Sequence, residues 1–269
     1  MRKDRTSLNW KIKRAIYKRS NIHFVVASKY MFDRVSRSPL TEGKPVSLVP
    51  FGVDLQYFAP GDHLLAKRLL GIEPDEVVIS FRSAPGEFKG FNHVLQALRD
   101  IKTDKKICLL SFNDRLLLDE FRYEFKVIEM GWVNNEEVMK NAYLAADFFL
   151  MPSTQEAFGM MAMEAMACAK PVVVFDGTAL PEVVGGGEIG IVVKQGDRVG
   201  LSEAVNRLIN DEEFRTERGR KARAFAEKNY NFAVHVQRLL GVYEKAISAF
   251  GKKKSLSDYE SVMSVRSKS

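Results

Sequence analysis

The sequence predicts an α/β fold built on a doubly wound, mainly parallel sheet, and three observations carry that prediction. Strand-like and helix-like segments alternate from Val77 to Asn210. The strand-like runs are apolar, as in Val77-Val-Ile-Ser-Phe81 and Pro171-Val-Val-Val-Phe175, the pattern of strands buried on both faces. The first of them passes straight into a basic, glycine-containing loop, Arg82-Ser-Ala-Pro-Gly-Glu-Phe-Lys-Gly90, and then into a helix over 91–101. In doubly wound sheets ligands sit at the strand ends that carry such βα turns.

Composition narrows the class. The 269 residues are 46% hydrophobic and 28% charged, which suits a globular protein of one or two domains. No apolar run approaches the ~20 residues that span a bilayer, and the start Met1-Arg-Lys-Asp-Arg-Thr6 lacks the apolar core of a signal peptide. Cys108 and Cys168 lie in apolar runs and read as buried thiols. A cytoplasmic protein is expected. The net charge of +7 is concentrated at the chain ends.

Taken in order, residues 1–20 are rich in Lys and Arg and place Leu8, Ile12, Ala15 and Ile16 on one helical face beside Trp10 and Tyr17. Two readings stand: a helix packed on a further domain, or a basic amphipathic helix in peripheral contact with an anionic membrane face. Ile22–Ala27 reads as a buried strand, with His23 structural, and Ser28 caps a helix to about Ser38. Val46–Val49 is a short strand. Helix 62–70 stops at Gly71. Strands follow at 77–81, 106–112 and 126–130, with a helix from Asp114 to about Phe121 between the last two. Asn135 caps helix 136–146. The glycine-rich stretch 176–187 lacks phosphate-loop spacing. Strand 189–193 is the last, and helices follow at 199–210, 211–229 and 232–249, the last with Val234, Leu239, Val242 and Ala246 on a core stripe. Residues 251–269 read as a disordered tail.

The candidate site lies between Pro152 and Pro171. Strand-like Asp147–Met151 leads in, and the helix that follows is apolar on every face yet carries Glu164. A helix apolar all round is buried, and a lone buried carboxylate is costly without a partner; an exposed stripe for Glu164 is the competing reading. Glu156-Ala-Phe-Gly159 sets Phe158, Gly159, Met160 and Met161 at the helix start, where free N–H groups and the helix dipole favour anionic or polar ligands. Gly159 allows close approach to the backbone. Glu164, about one turn further, reaches the same ligand's hydroxyls.

Glu156, seven intervening residues and Glu164, with Phe158-Gly159 after the first Glu and Glu164-Ala-Met-Ala167 at the second, resemble the signature of family 4 (group 1) retaining glycosyltransferases. The resemblance covers roughly residues 8–250. It implies the C-terminal, Rossmann-like donor-binding half of a GT-B fold, with residues 1–44 the end of an N-terminal domain and residues 45–250 the donor domain. Pro50-Phe-Gly-Val-Asp54 resembles the family's interdomain segment, with Phe51 in place of the usual Asn. Arg82 and Lys89-Gly90 match the pair that holds the donor diphosphate; two solvated cations beside Glu87 is the alternative. Gly131-Trp-Val133 resembles the family's turn near the nucleotide base, with plain packing of Trp132 as the alternative. The stretch containing Pro181-Glu182 resembles a loop flanking the donor.

The resemblance therefore implies hexosyl transfer from a nucleotide diphosphate sugar to a sugar or lipid-linked acceptor with retention, in polysaccharide or glycolipid synthesis. Arg82, Lys89 and Glu156 would be catalytic, and Phe158, Gly159, Met160, Met161 and Glu164 would bind the donor. No cofactor is expected, and no metal, since Asp-x-Asp and metal-spaced His/Cys/Asp clusters are lacking. The acceptor half would lie outside this sequence, in a partner chain or a lost segment. Other readings are a nucleotide-sugar-binding module without catalysis, or another GT-B class such as a sugar-nucleotide epimerase; a phosphorylase would need a pyridoxal-lysine site. Nucleic-acid binding is not expected, because the basic residues lack interleaved aromatic platforms.

Overall fold

The structure, a computed structural model, describes residues 5–86 and 88–251. Residues 1–4, Glu87 and residues 252–269, with the tail reading, lie outside the described residues. Six strands form one sheet: β3 (Val77–Ser83), β4 (Ile107–Asn113), β5 (Lys126–Glu129), β6 (Phe148–Met151), β7 (Val172–Phe175) and β8 (Ile191–Val193). The two strands before them, β1 (Phe24–Val26) and β2 (Val46–Leu48), pair in parallel as a separate sheet. This small pair straddles position 44–45.

The large sheet has the order β5-β4-β3-β6-β7-β8 and is parallel throughout. The chain winds outward in one direction from β3 and, from β6, in the other, so the topological switch point lies between β3 and β6. Parallel pairing demands crossovers, and helices supply them on both faces. Residues along β3 alternate between two cores. Val78 faces one core with Phe149, Met163 and Ala222, on the side of α5 (Glu136–Ala145), α6 (Met160–Ala167) and α9 (Glu212–Asn229). Val77, Ile79 and Phe81 face the other with Val94, Leu98 and Leu208, under α4 (Phe91–Arg99) and α8 (Arg198–Asn210). Each fully buried Phe, Leu or Ile stabilises the fold by ~1.5–3 kcal/mol, so these two layers outweigh any single cap or ion pair.

Three departures from the sequence reading stand out. The segment from Asp114 is not a helix until one 3₁₀ turn at Asp119–Phe121, because Asn113 and Leu116 take positive φ (91° and 63°), outside helical space. The strand read at 22–27 is three residues long and half open, with Val25 42% exposed, since β1 has only β2 for a neighbour. In α1 (Thr6–Arg19), which forms as read, no residue is buried, and Leu8, Ile12 and Ile16 face outward, so both readings of that face stay open. In α10 (Phe232–Gly251) the packed stripe keeps Val242 buried while Val234 is exposed. His23 is structural as read, its Nε2 2.9 Å from Ser47 Oγ.

Candidate functional site

The site is built at the carboxyl ends of β3 and β6. Strand β3 carries Arg82 out of the core, between buried Phe81 and Ser83. Ser83 Oγ donates to Phe112 O and Asp114 O, pinning this strand end. The guanidinium of Arg82 donates to Asn113 Oδ1 at 3.2 Å. The loop that follows is fastened to the loop after β6: Thr154 N and Gln155 N both donate to Phe88 O. At Gly90 (φ +72°) a Cβ would stand 1.9 Å from Pro152 O, so only glycine permits this approach. The result brings Lys89 Nζ to 2.8 Å from Glu156 Oε2. The two charged groups that the sequence placed 67 residues apart form one ion pair.

Gly159 (φ +111°) opens α6, and a Cβ there would strike Leu180 at 2.5 Å. No side chain caps α6 or α4, whereas Asp62, Asn135, Asp197 and Asp211 cap their helices. Phe158 is buried, edge-on to Phe51 at 5.2 Å and to Tyr230 at 5.8 Å. These groups enclose a cavity of about 290 Å³ lined by Arg82, Lys89, Glu156, Phe158, Gly159, Met160 and Met161, together with Phe51, Ser153 and others. Seven of the eight residues singled out in the sequence thus share one cavity. Glu156 is the one carboxylate lining it among the described residues.

Glu164 is not among the lining side chains. It lies deeper on α6 and accepts a 2.8 Å hydrogen bond from the hydroxyl of Tyr143, on α5. Burial pushes the Glu164 carboxyl above its ordinary pKa; Tyr143 opposes that rise and Glu136 adds to it. The segment around Pro181-Glu182, read as a loop, flanks the site as one helical turn, α7 (Leu180–Val183). Leu180 covers Gly159, and Glu182 accepts from Lys29 N and Tyr30 N at the start of α2 (Lys29–Ser36), while Ser28 Oγ donates to Ala157 O.

The sequence model of glycosyl transferases group 1 matches residues 66–225, more than half of the chain. The chain belongs to the group 1 glycosyltransferases. It is 29% identical over 227 residues to a D-inositol 3-phosphate glycosyltransferase of Saccharomonospora viridis, across 76% of this chain and 51% of that protein. The chain spans about half the length of the curated relatives it matches. In fold it is similar to the sucrose-phosphate synthase of Thermosynechococcus elongatus, with a TM-score of 0.77 at 22% identity over 93% of this chain and 65% of that one. It is also similar to Anabaena HepE in complex with UDP and glucose, with a TM-score of 0.74 at 18% identity over 89% and 68% of the two chains. These neighbours are GT-B glycosyltransferases.

In this group 1 glycosyltransferase domain the sequence reading missed two side chains that hold site residues. Asn113 receives Arg82, and its one signal was an Asn closing an apolar strand, a residue tolerant of positive φ. Tyr143 receives no hint from spacing; its signal was a single hydroxyl in a helix whose neighbours Ala142, Leu144 and Ala145 are apolar. Trp132 is 71% exposed and donates to Asn134 Oδ1, which sets aside plain packing as its role. Among the described residues no group of three or more His, Cys, Asp or Glu is arranged to hold a metal, and no helix is long and apolar enough to cross a membrane.

Proposed function

We propose that this domain binds a nucleoside diphosphate sugar in the cavity between β3 and β6 and serves transfer of its hexose to an acceptor hydroxyl with retention of configuration, in polysaccharide or glycolipid synthesis. One observation carries the reading. Two cations, Arg82 and Lys89, share the cavity with the uncapped start of α6, and among the described residues a single carboxylate lines it with them. Cations beside a helix N-terminus repel its dipole, so the arrangement favours an anion of more than one charge. A diphosphate has that charge.

In this reading the glycosidic C1–O bond breaks and the leaving diphosphate gains negative charge against Arg82, Lys89 and the N–H groups of Phe158 to Met161. Fixed positive groups at that point lower the barrier. The acceptor oxygen bonds to C1 on the face the phosphate leaves, and its proton passes to the departing phosphate oxygen, so no protein nucleophile, cofactor or metal is called for. Entry of the phosphate takes Lys89 from Glu156, which frees Glu156 to position the sugar. Glu164 holds the ribose hydroxyls.

A second reading, that the chain binds donor but needs a partner domain to turn over, is favoured by the open β1–β2 pair and by α1, which has no buried residue. That partner would bring the sugar or lipid-linked acceptor. With Lys11, Lys13, Arg14 and Lys18 around its apolar face, α1 also fits peripheral contact at the inner, cytoplasmic face of a membrane. Calorimetric titration with UDP-, GDP- and ADP-sugars tests the site. Saturable binding of one of them, weakened in Glu164→Ala, is expected; binding of none overturns the donor-site reading. Conversion of the donor with no acceptor present would replace transfer by epimerisation.

A further inference from the structure

We infer that Tyr143 is a positioning residue for nucleotide recognition: its hydroxyl fixes the carboxylate of Glu164 so that the other oxygen is presented to the ribose. The inference rests on the donor-site reading above. Tyr143 is fully buried, and its ring is boxed by Phe58, Phe112 and Phe149 at centroid distances of 6.3, 5.9 and 5.9 Å. Such a box is apolar, and phenylalanine would fill it. The hydroxyl therefore needs a reason to be there, because a buried hydroxyl without a partner costs ~1–3 kcal/mol.

Its partner is Glu164 Oε2 at 2.8 Å, and among the described residues neither side chain makes another hydrogen bond. Glu164 rises from a helix whose Ala162, Met163, Ala165 and Met166 are fully buried. A pair that only filled space would be replaced at no loss by Phe and Leu, since apolar substitutes for a buried polar pair are near neutral or stabilising. The pair instead does two things that ligand recognition requires. A tyrosine held far from ionisation keeps its proton, so it always donates, and donation favours the carboxylate form of Glu164. One carboxylate oxygen is thereby fixed, and the other keeps its lone pairs free to accept from a ligand's hydroxyl.

The test measures the affinity of the nucleoside diphosphate that binds best among UDP, GDP and ADP, beside its 2′,3′-dideoxy counterpart, in wild type and Tyr143→Phe. The expected result is a fall of about tenfold for the ribose diphosphate in the variant, with little change for the dideoxy compound. A structural role would weaken both alike, and equal losses overturn the inference, as does no loss for either. If no diphosphate binds wild type, the donor-site reading fails and the inference falls with it; binding to wild type with a ratio unmoved by Tyr143→Phe sinks the inference alone. Thermal unfolding of both forms, expected within a few degrees of each other, separates a folding defect from a lost contact.

Discussion

The two ends of the large sheet hold similar charges to opposite purpose. At the amino end a cavity of about 830 Å³ is lined by Lys67, Asp147, Lys170 and Arg215 among others, nearly three times the volume of the cavity at the carboxyl end. Size alone would make it the ligand site. Its hydrogen bonds argue otherwise. Lys67 donates to Pro74 O and Glu76 O, Lys170 to Leu144 O, and Arg215 to Leu208 O and Ile209 O. The last three carbonyls belong to the final turns of α5 and α8, where unpaired carbonyls and the negative end of the dipole accumulate. Asp147 sits 3.3 Å from Arg215 and 3.5 Å from Lys67 and accepts from Val78 N. Each of these four charges is answered by the protein itself. At the carboxyl end the cations share their cavity with a helix start rather than helix ends; among the described residues Glu156 answers Lys89, and Arg82 meets only the neutral amide of Asn113. The lesson is that unmet charge, not volume, marks the candidate site.

This contrast predicts that amino-end changes act on stability and carboxyl-end changes on binding. The largest stability effect is expected at Asp147. Asp147→Ala leaves Lys67 and Arg215, both buried, without their shared carboxylate, and breaking such a cluster costs ~3–5 kcal/mol. Urea unfolding should show that loss, while nucleotide-sugar affinity of the folded protein stays near wild type. A loss of affinity equal to that of a carboxyl-end variant would end the division of labour.

Lys170 offers a smaller effect with a defined sign. Burial lowers its pKa to about 8; Asp147 and Cys168 oppose the shift, and Lys67 and Arg215 deepen it. The unfolded chain keeps an ordinary lysine, near 10.5, so between about 8 and 10.5 it holds more protons than the folded one. Stability must rise with pH in that window, and the full penalty for the buried ammonium is in place below it. Wild type should gain on Lys170→Met by ~1–3 kcal/mol between pH 7 and pH 10. A flat difference across that range would mean that water reaches the ammonium.

How far the sequence reached follows the same division. Apolar runs make strands of a parallel sheet whatever their partners, so the sheet was readable throughout, and so were the capped helices with Asp62 and Asn135 at their starts. The segment after Asn113 was not readable, because its backbone leaves helical space at Asn113 and Leu116 for reasons of loop closure rather than propensity. In the site, the residues Arg82, Lys89, Glu156 and Phe158 to Met161 were legible because adjacent strand ends must carry them to one edge. Their mutual contacts were not. Nothing local tells Lys89 that it will meet Glu156, or Glu164 that its partner is Tyr143 on another helix; the first pairing exists only once β3 and β6 lie side by side, the second only once α5 and α6 pack into one core.

The smallest stability effect, and the sharpest test of the comparison, is expected at Lys89. Its pair with Glu156 is part-exposed, at 33% and 15% of the two side chains, and such pairs contribute ~0–1 kcal/mol. Lys89→Met should therefore unfold within about 1 kcal/mol of wild type. If the ammonium is there for a diphosphate, the same substitution removes a charge-assisted hydrogen bond of ~1.5–3 kcal/mol, or roughly ten- to hundredfold in nucleotide-sugar affinity, and raising the salt concentration should narrow the gap. Denaturation and titration on the same sample decide the matter. A variant that loses stability but not affinity would make the Lys89–Glu156 pair a clasp between two loops, and the carboxyl end would then be as self-satisfied as the amino end.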